Sequence, residues 1–420
     1  MCIRDSAAIT EHPDWPESER GDLLGECDLI MSFLMYNDIS AMSRLHRSAS
    51  AQMSRPAISI QKSGGWTFGS PSVLMMFYRA SGELQSELTE MDECMPHYYK
   101  ITNGHGQGAE TIMRAEADFM RACFADAQIM LERAYAQIDG NGQENMALCC
   151  DFLAWRLSLC TSFTPRESFE QRREALLGLH NVTWLNILQS SCAYYYALLG
   201  LPEKIPAVFR EHQLASIHFL APGKPMMELI ENQVYLAQGE YAKVIGRSEA
   251  LLGMCEAMHY ALVALHIRLQ TAAAYEMLGK RETADELLIS ALAAAEPDAL
   301  YLPFVENYRY LKTALTRGAG AKFAAFVRTV TPLGENFVRR CGEKRAEGSR
   351  PAALAGLTER ESAIAALVAK RLSNREIAEQ LFLSEGTVKQ YINQIYSKLL
   401  ITGNVRTKRK RLAELAAPKN

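Results

Sequence analysis

The chain lacks any run of about 18 apolar residues and any basic-then-apolar opening, so no spanning helix and no secretory signal is read from it. Its ten cysteines form no C-x-x-C pair, and only Cys149 and Cys150 adjoin. That excludes a zinc or disulfide framework and fits small apolar residues kept reduced in a cytoplasmic protein. Alternating β-branched runs with hairpin turns are nearly missing, which argues against sheet. No G-x-x-x-x-G-K-[ST] occurs. Neither the Gly64 to Gly69 stretch nor Gly318-Ala-Gly-Ala-Lys322 combines a phosphate cradle, a lysine and a metal-binding hydroxyl. Asn103-Gly-His-Gly-Gln-Gly108 has no lysine either and reads as a flexible connector. His259 and His266 sit seven apart on a helix, which suits packing better than a metal. No catalytic, cofactor or metal site is assigned, and the chain is read as a non-enzyme without a membrane partner.

What is present is unevenly charged. The whole chain carries 45 Lys+Arg and 48 Asp+Glu. Residues 351–420 hold 12 Lys+Arg against 6 Asp+Glu, a net +6, which leaves −9 on the preceding 350 residues (33 against 42). A basic tail on an acidic body is the asymmetry expected when one module meets nucleic acid.

From Leu23 to about Val330 apolar residues recur every three or four positions, so the chain is expected to be all-α. Turns at Ala122, Gly200, Gly239 and Gly279 are equivalent by pattern, with separations of 78, 39 and 40 residues. One copy, near Thr161, would be degenerate, and the copy after Gly200 is weaker than the others. A period near 40 with two helices per copy resembles tetratricopeptide-like solenoids. Turn glycines supply C-caps of positive φ. Ala127, Ala134, Ala284 and Ala291 allow close helix approach, while Phe124, Tyr235, Tyr241 and Tyr275 fill the space between hairpins. A concave face of such a solenoid is expected to bind a small-molecule or protein ligand.

The composition turns to Gly, Ser, Ala, Pro and charge between Gly342 and Gly356, giving a linker at 342–356 between a body at 7–341 and a tail domain at 357–420. Met1 to Ser6 does not join the periodic pattern and is set aside as an extraneous segment. In the tail, Thr358 and Glu361 have capping-box spacing before a helix bearing Ile364, Leu367 and Val368. Ser373 and Glu376 open a second, with Ile377, Ala378 and Leu381. Ser384 caps a third, whose apolar face is Val388, Ile392, Ile395 and Leu399, and a last helix runs from about Val405 to Leu415. Two short helices and a tight turn make the geometry that enters a major groove. The free face of the third helix presents base-reading chemistry.

Leu357-Thr-x-Arg-Glu361, Ser373-Asn-x-Glu-Ile-Ala378, Leu381, Ser384-x-x-Thr-Val-Lys389 and Ile395-Tyr-x-Lys-Leu399 together resemble the LuxR-type DNA-binding domain almost throughout its length. The resemblance implies a four-helix unit whose third helix reads the groove and whose fourth pairs two chains as a homodimer on double-stranded promoter DNA, with RNA polymerase as a further partner. Carried onto this sequence, the base readers are Lys389, Gln390 and Asn393, and the phosphate contacts are Ser384, Thr387, Asn374, Arg375 and Lys398. Tyr391 stands where many relatives have His. The Lys408-Arg-Lys-Arg411 run reads equally as a solvated face or a phosphate contact.

A helical-repeat body joined to such a tail is similar to the C-terminal part of large maltose-activator (MalT-like) regulators. Trp66-Thr-Phe-Gly-Ser-Pro-Ser72 and Met113-Arg-Ala-Glu-Ala117 add to that likeness. In that group an ATP-binding domain precedes the repeats, so the chain is expected to be a fragment or a reduced relative. The expected function is a sequence-specific transcriptional regulator. The alternative is a protein-interaction adaptor whose solenoid binds a peptide.

Overall fold

A computed structural model describes residues 8–10, 14–217, 219–318, 322–348, 354 and 356–416. The opening six residues, the middle of the Gly318 to Lys322 stretch and positions 349–353 and 355 of the expected linker lie outside them. The chain divides into two compact units, 1–340 and 341–420. The chain is all-α, with no strand among the described residues.

In the first unit, helical hairpins form where the period places them. Ala109–Met120 packs on Phe124–Ile138, Lys224–Gln238 on Tyr241–Ala257, and Ala261–Met277 on Arg281–Ala295. All four turn positions are left-handed, with φ of 60° at Ala122, 71° at Gly200, 79° at Gly239 and 75° at Gly279. Ala127, Ala134, Ala284 and Ala291 are fully buried, which lets the paired helices approach closely. The larger Phe124, Tyr235, Tyr241 and Tyr275 are only half-buried.

Two copies depart from the pattern. Thr161 is extended, at φ −133° and ψ 179°, so the helix Glu144–Cys160 ends without a left-handed turn. After Gly200 the second helix shrinks to Ala207–Arg210, flanked by single 3₁₀ turns. Pro206 interrupts the expected helix, because inside it a proline lacks the amide donor and its ring clashes with the preceding turn, whereas Pro202 stands at a first helical position that tolerates proline.

The inner helices do not leave an open concave face. Glu144–Cys160 is buried from Met146 to Cys160 apart from Ala147, and Ala261–Met277 is buried from Leu262 to Ala274 apart from Arg268. Residues distant in sequence close over them. Arg156 donates to both oxygens of Glu306 at 2.8 and 3.1 Å, and Tyr194 donates to the same carboxylate at 2.8 Å. The amides of Ala261 and Tyr301 donate to the carbonyls of Tyr78 and Met120. A buried ion pair of this kind stabilises little overall, yet removing one partner costs about 3–5 kcal/mol.

Two segments noted in the sequence meet here. The Trp66 to Ser72 loop is held by Asn145 Oδ1, which accepts from the amides of Trp66 and Thr67. It leads to the short helix Leu74–Phe77, whose first amide donates to Glu116 at 2.6 Å. The loop from Asn103 to Gly108 is tied down rather than a flexible connector. Gln143 and the Tyr99 hydroxyl hold the Gly106 and Gly108 amides, and buried His105 bonds Tyr98 at 2.7 Å. Its amides are thus spent internally and make no phosphate cradle.

The helix Ala324–Gly348 runs through positions 342–348, where a linker was expected. Glu343, Lys344, Arg345 and Ala346 are good helix formers, and Cys341 is fully buried, so the helix persists past Gly342.

The second unit is built from four helices: α1 (Glu359–Ala369), α2 (Asn374–Leu381), α3 (Glu385–Lys398) and α4 (Val405–Ala416). Their core gathers Leu357, Ile364, Val368, Ile377, Val388, Ile392, Ile395 and Leu412.

Candidate nucleic-acid interface

Each of the first three helices of this unit starts where a side chain satisfies an orphan amide. Thr358 accepts from the Glu361 amide while Glu361 accepts from the Thr358 amide at 2.8 Å. Ser373 and Glu376 repeat the arrangement at α2. Ser384 accepts from the Thr387 amide at 3.0 Å and starts α3. Such caps contribute about 1 kcal/mol each. Between α2 and α3 the chain turns through Phe382 at φ 54°, and the Leu383 amide closes the turn on the Ala378 carbonyl.

That turn fixes which face of α3 is free. Val388, Ile392, Ile395 and Tyr396 are buried, whereas Lys389, Gln390, Asn393, Gln394 and Ser397 are exposed. Lys389, Gln390 and Asn393 therefore share one open stripe of the helix, since Asn393 lies four positions from Lys389 and three from Gln390. The stripe combines a cationic donor with two carboxamides that each donate and accept, the set that fits guanine and adenine edges. Tyr391 is half-buried against the core, so it does not join the stripe.

The expected phosphate contacts separate into two groups. Ser384 and Thr387 stand together at the α3 N-terminus with hydroxyls 2.8 Å apart. The amides of Glu385 and Gly386 beside them have no intrahelical acceptor, as at any helix start, and favour an anion. At Gly386 a side chain would meet nothing closer than Ser384 Oγ at 3.7 Å, so the backbone is open to a close approach. Arg375 is exposed and pairs with Glu379 at 3.2 Å, a surface contact easily exchanged for another anion.

Lys398 and Asn374 are engaged inside the unit. The Lys398 ammonium lies 2.7 Å from Glu361 Oε2, and Glu361 is 4% exposed. Burial raises the Glu361 carboxyl, but Lys398 and the Thr358 amide outweigh it and hold the group below its ordinary range. The Glu376 carboxyl is likewise held down by the Ser373 amide and hydroxyl. Asn374 Oδ1 accepts from Arg409 Nη1 at 2.7 Å, while Arg409 Nη2 donates to the Leu372 carbonyl at 2.6 Å. The basic run of α4 is thus divided. Arg409 is tied to α2, Lys408 lies 5.8 Å over the Tyr396 ring, and Lys410 and Arg411 are exposed. Arg409 was not singled out from sequence, although it lies three positions before the fully buried Leu412 and so on the inward side of α4.

Residues 355–408 match the family model described as bacterial regulatory proteins, luxR family. The tail is a LuxR-family DNA-binding helix-turn-helix. The transcriptional regulatory protein LnrK of Bacillus subtilis is 43% identical over 63 residues, which are 14% of this chain and 29% of that protein. The DNA-binding transcriptional activator DevR/DosR of Mycobacterium tuberculosis is 41% identical over 46 residues, 11% of this chain and 21% of that protein. The chain thus spans less than a third of the length of these curated relatives. Among the described residues no helix is long and apolar enough to cross a membrane.

Proposed function

We propose that the chain is a sequence-specific transcriptional regulator whose LuxR-family unit binds promoter DNA as a homodimer and acts on RNA polymerase in the cytoplasm. The observation that carries this reading is the open stripe of Lys389, Gln390 and Asn393 on a helix pinned from behind by Val388, Ile392 and Ile395. In this reading those three side chains read base edges. Ser384, Thr387, Asn374 and Arg375 bind the sugar-phosphate chain, and Lys398 supports the unit from within and reaches phosphate only if it leaves Glu361.

The acidic helical body, tetratricopeptide-like in its turn spacing and similar in layout to maltose-activator regulators, serves as the sensor. Its inner helices are packed, so a ligand would enter at the edge. A cleft of about 530 Å³ beside the shortened repeat, lined by His212, Lys224, Glu228, Glu231, Tyr235 and Arg247, supports that placement. Arg247 bridges Glu228 and Glu231 there.

The experiment is selection of the whole chain on a randomised duplex library at two salt concentrations, followed by affinities of the selected duplex for wild type and Lys389→Ala. A recurrent two-fold motif is expected, with Lys389→Ala weakening binding by about tenfold or more and relaxing preference at one base pair. Unchanged binding by Lys389→Ala across sequences would refute the groove assignment. Salt-steep binding with no motif would leave the tail as a generic anchor and favour the adaptor reading.

A further inference from the structure

The Arg409 side chain joins α4 to the start of α2 and also decides how an expected DNA contact is presented. Arg409 reaches back from α4 to donate to the Leu372 carbonyl through Nη2 and to Asn374 Oδ1 through Nη1. A guanidinium has five N–H donors and no acceptor, so only the oxygen of the Asn374 carboxamide can meet it. The Nδ2 hydrogens are thereby turned away from Arg409, and no partner for Nδ2 occurs among the described residues. Asn374 is the first residue of α2, directly after the Ser373 cap. Its NH₂ therefore stands beside the first amides of a helix, where an anion is favoured. Without Arg409 the carboxamide could rotate and offer its oxygen instead, which repels a phosphate.

We propose that Arg409 is a positioning residue for DNA-backbone binding. It holds the Asn374 oxygen so that Nδ2 donates to a phosphate oxygen of the duplex. The inference rests on the DNA-binding reading above, and it ties that contact to α4 through a single guanidinium. Arg409 itself then touches no phosphate, and the contact made through Asn374 is electrically neutral. A neutral donor displaces no counterion, so its loss weakens binding without changing the salt dependence.

The test measures affinity of the full chain for its selected duplex and for an unrelated duplex, at three salt concentrations, with thermal unfolding in parallel. Asn374→Ala and Arg409→Met are each expected to weaken binding about fivefold, equally on both duplexes, the size of one hydrogen bond. The double variant is expected to lose about fivefold as well, because both changes remove the same contact. The slope of log affinity against log salt should stay within about 0.3 of wild type, whereas a direct arginine-phosphate contact would lower it by about 0.9. Asn374→Asp separates the role from a purely structural one. Its carboxylate can pair with Arg409 and keep or raise stability, yet it faces the phosphate as an acceptor and should cost more than tenfold in affinity. Additive losses in the double variant, a slope lowered by about 0.9 in Arg409→Met, or wild-type affinity in Asn374→Ala would each overturn the proposal. If Arg409→Met fails to fold, the two Asn374 variants decide. Absence of DNA binding by the wild type would instead sink the underlying reading, an outcome distinct from a neutral Asn374→Ala.

Discussion

Replacing Lys398 with methionine separates the two tasks that this side chain could perform. Its ammonium shares Glu361 Oε2 with the Thr358 amide, at 2.7 and 2.8 Å. A hydrogen bond to a charged group contributes about 1.5–3 kcal/mol when well shielded. Lys398 is 42% exposed, so solvent screening reduces this to about 1 kcal/mol. Methionine keeps most of the apolar stem, which confines the change to the charge. The second unit should therefore lose about 1 kcal/mol in urea unfolding at pH 7. The pH dependence has a definite sign as well. Glu361 titrates below its unfolded value of 4.5, so its contribution is complete above that pH and is lost as pH falls through the folded value. Without Lys398 the carboxyl moves upward, and acid unfolding of the unit should begin at a higher pH than in wild type. DNA affinity, read by fluorescence anisotropy at several salt concentrations, should keep its salt slope. A slope lowered by about 0.9 with unchanged stability would refute this reasoning and give Lys398 to the phosphate.

Three further substitutions probe the backbone and the buried charge. Burial raises the Glu116 carboxyl to about 7 against 4.5 unfolded, so the first unit is favoured below pH 4.5 and loses stability as pH rises through 7. Glu116→Gln, which can still accept from the Leu74 amide, should gain about 3 kcal/mol over wild type at pH 8 and little at pH 5, compared by urea midpoints. Phe382 is 95% exposed at φ 54°. Phe382→Gly relieves a left-handed cost of about 1–2 kcal/mol against roughly 0.5–1 of added chain entropy, so thermal unfolding of the second unit should move upward. A downward move would show that the ring is held by a contact. At Gly106, φ is 71° and an added Cβ would sit 2.3 Å from Trp66 Cδ1. Gly106→Ala should cost about 3 kcal/mol by calorimetry, since the Trp66 ring must shift and the backbone is strained.

The features legible in the sequence were those specified over a few residues. Capping pairs such as Thr358 with Glu361 announce themselves at a spacing of three, and the repeat turns share one backbone need, a positive φ at Ala122, Gly200, Gly239 and Gly279. The free stripe of α3 followed from helical spacing alone. What sequence reading did not supply depends on partners far along the chain. Lys398 meets Glu361 across 37 positions, Arg409 meets Asn374 across 35, and Arg156 meets Glu306 across 150. A repeat pattern implies neighbours in register but carries no term for a chain that closes on its own inner face. The shortening of the copy after Gly200 was legible through Pro206, which falls inside the helix that the repeat would place there.

That shortened copy has a mechanical consequence. Among the described residues of 201–223 the buried hydrophobic side chains are Ile205 and Phe209, so few apolar contacts hold this stretch. Opening of the first unit should start there, so amides of residues 201–223 should exchange with solvent ahead of those in Lys224–Gln238 and Ala261–Met277. A molecule bound in the cleft proposed above, lined by His212, Tyr235 and Arg247, is expected to slow exchange of these amides.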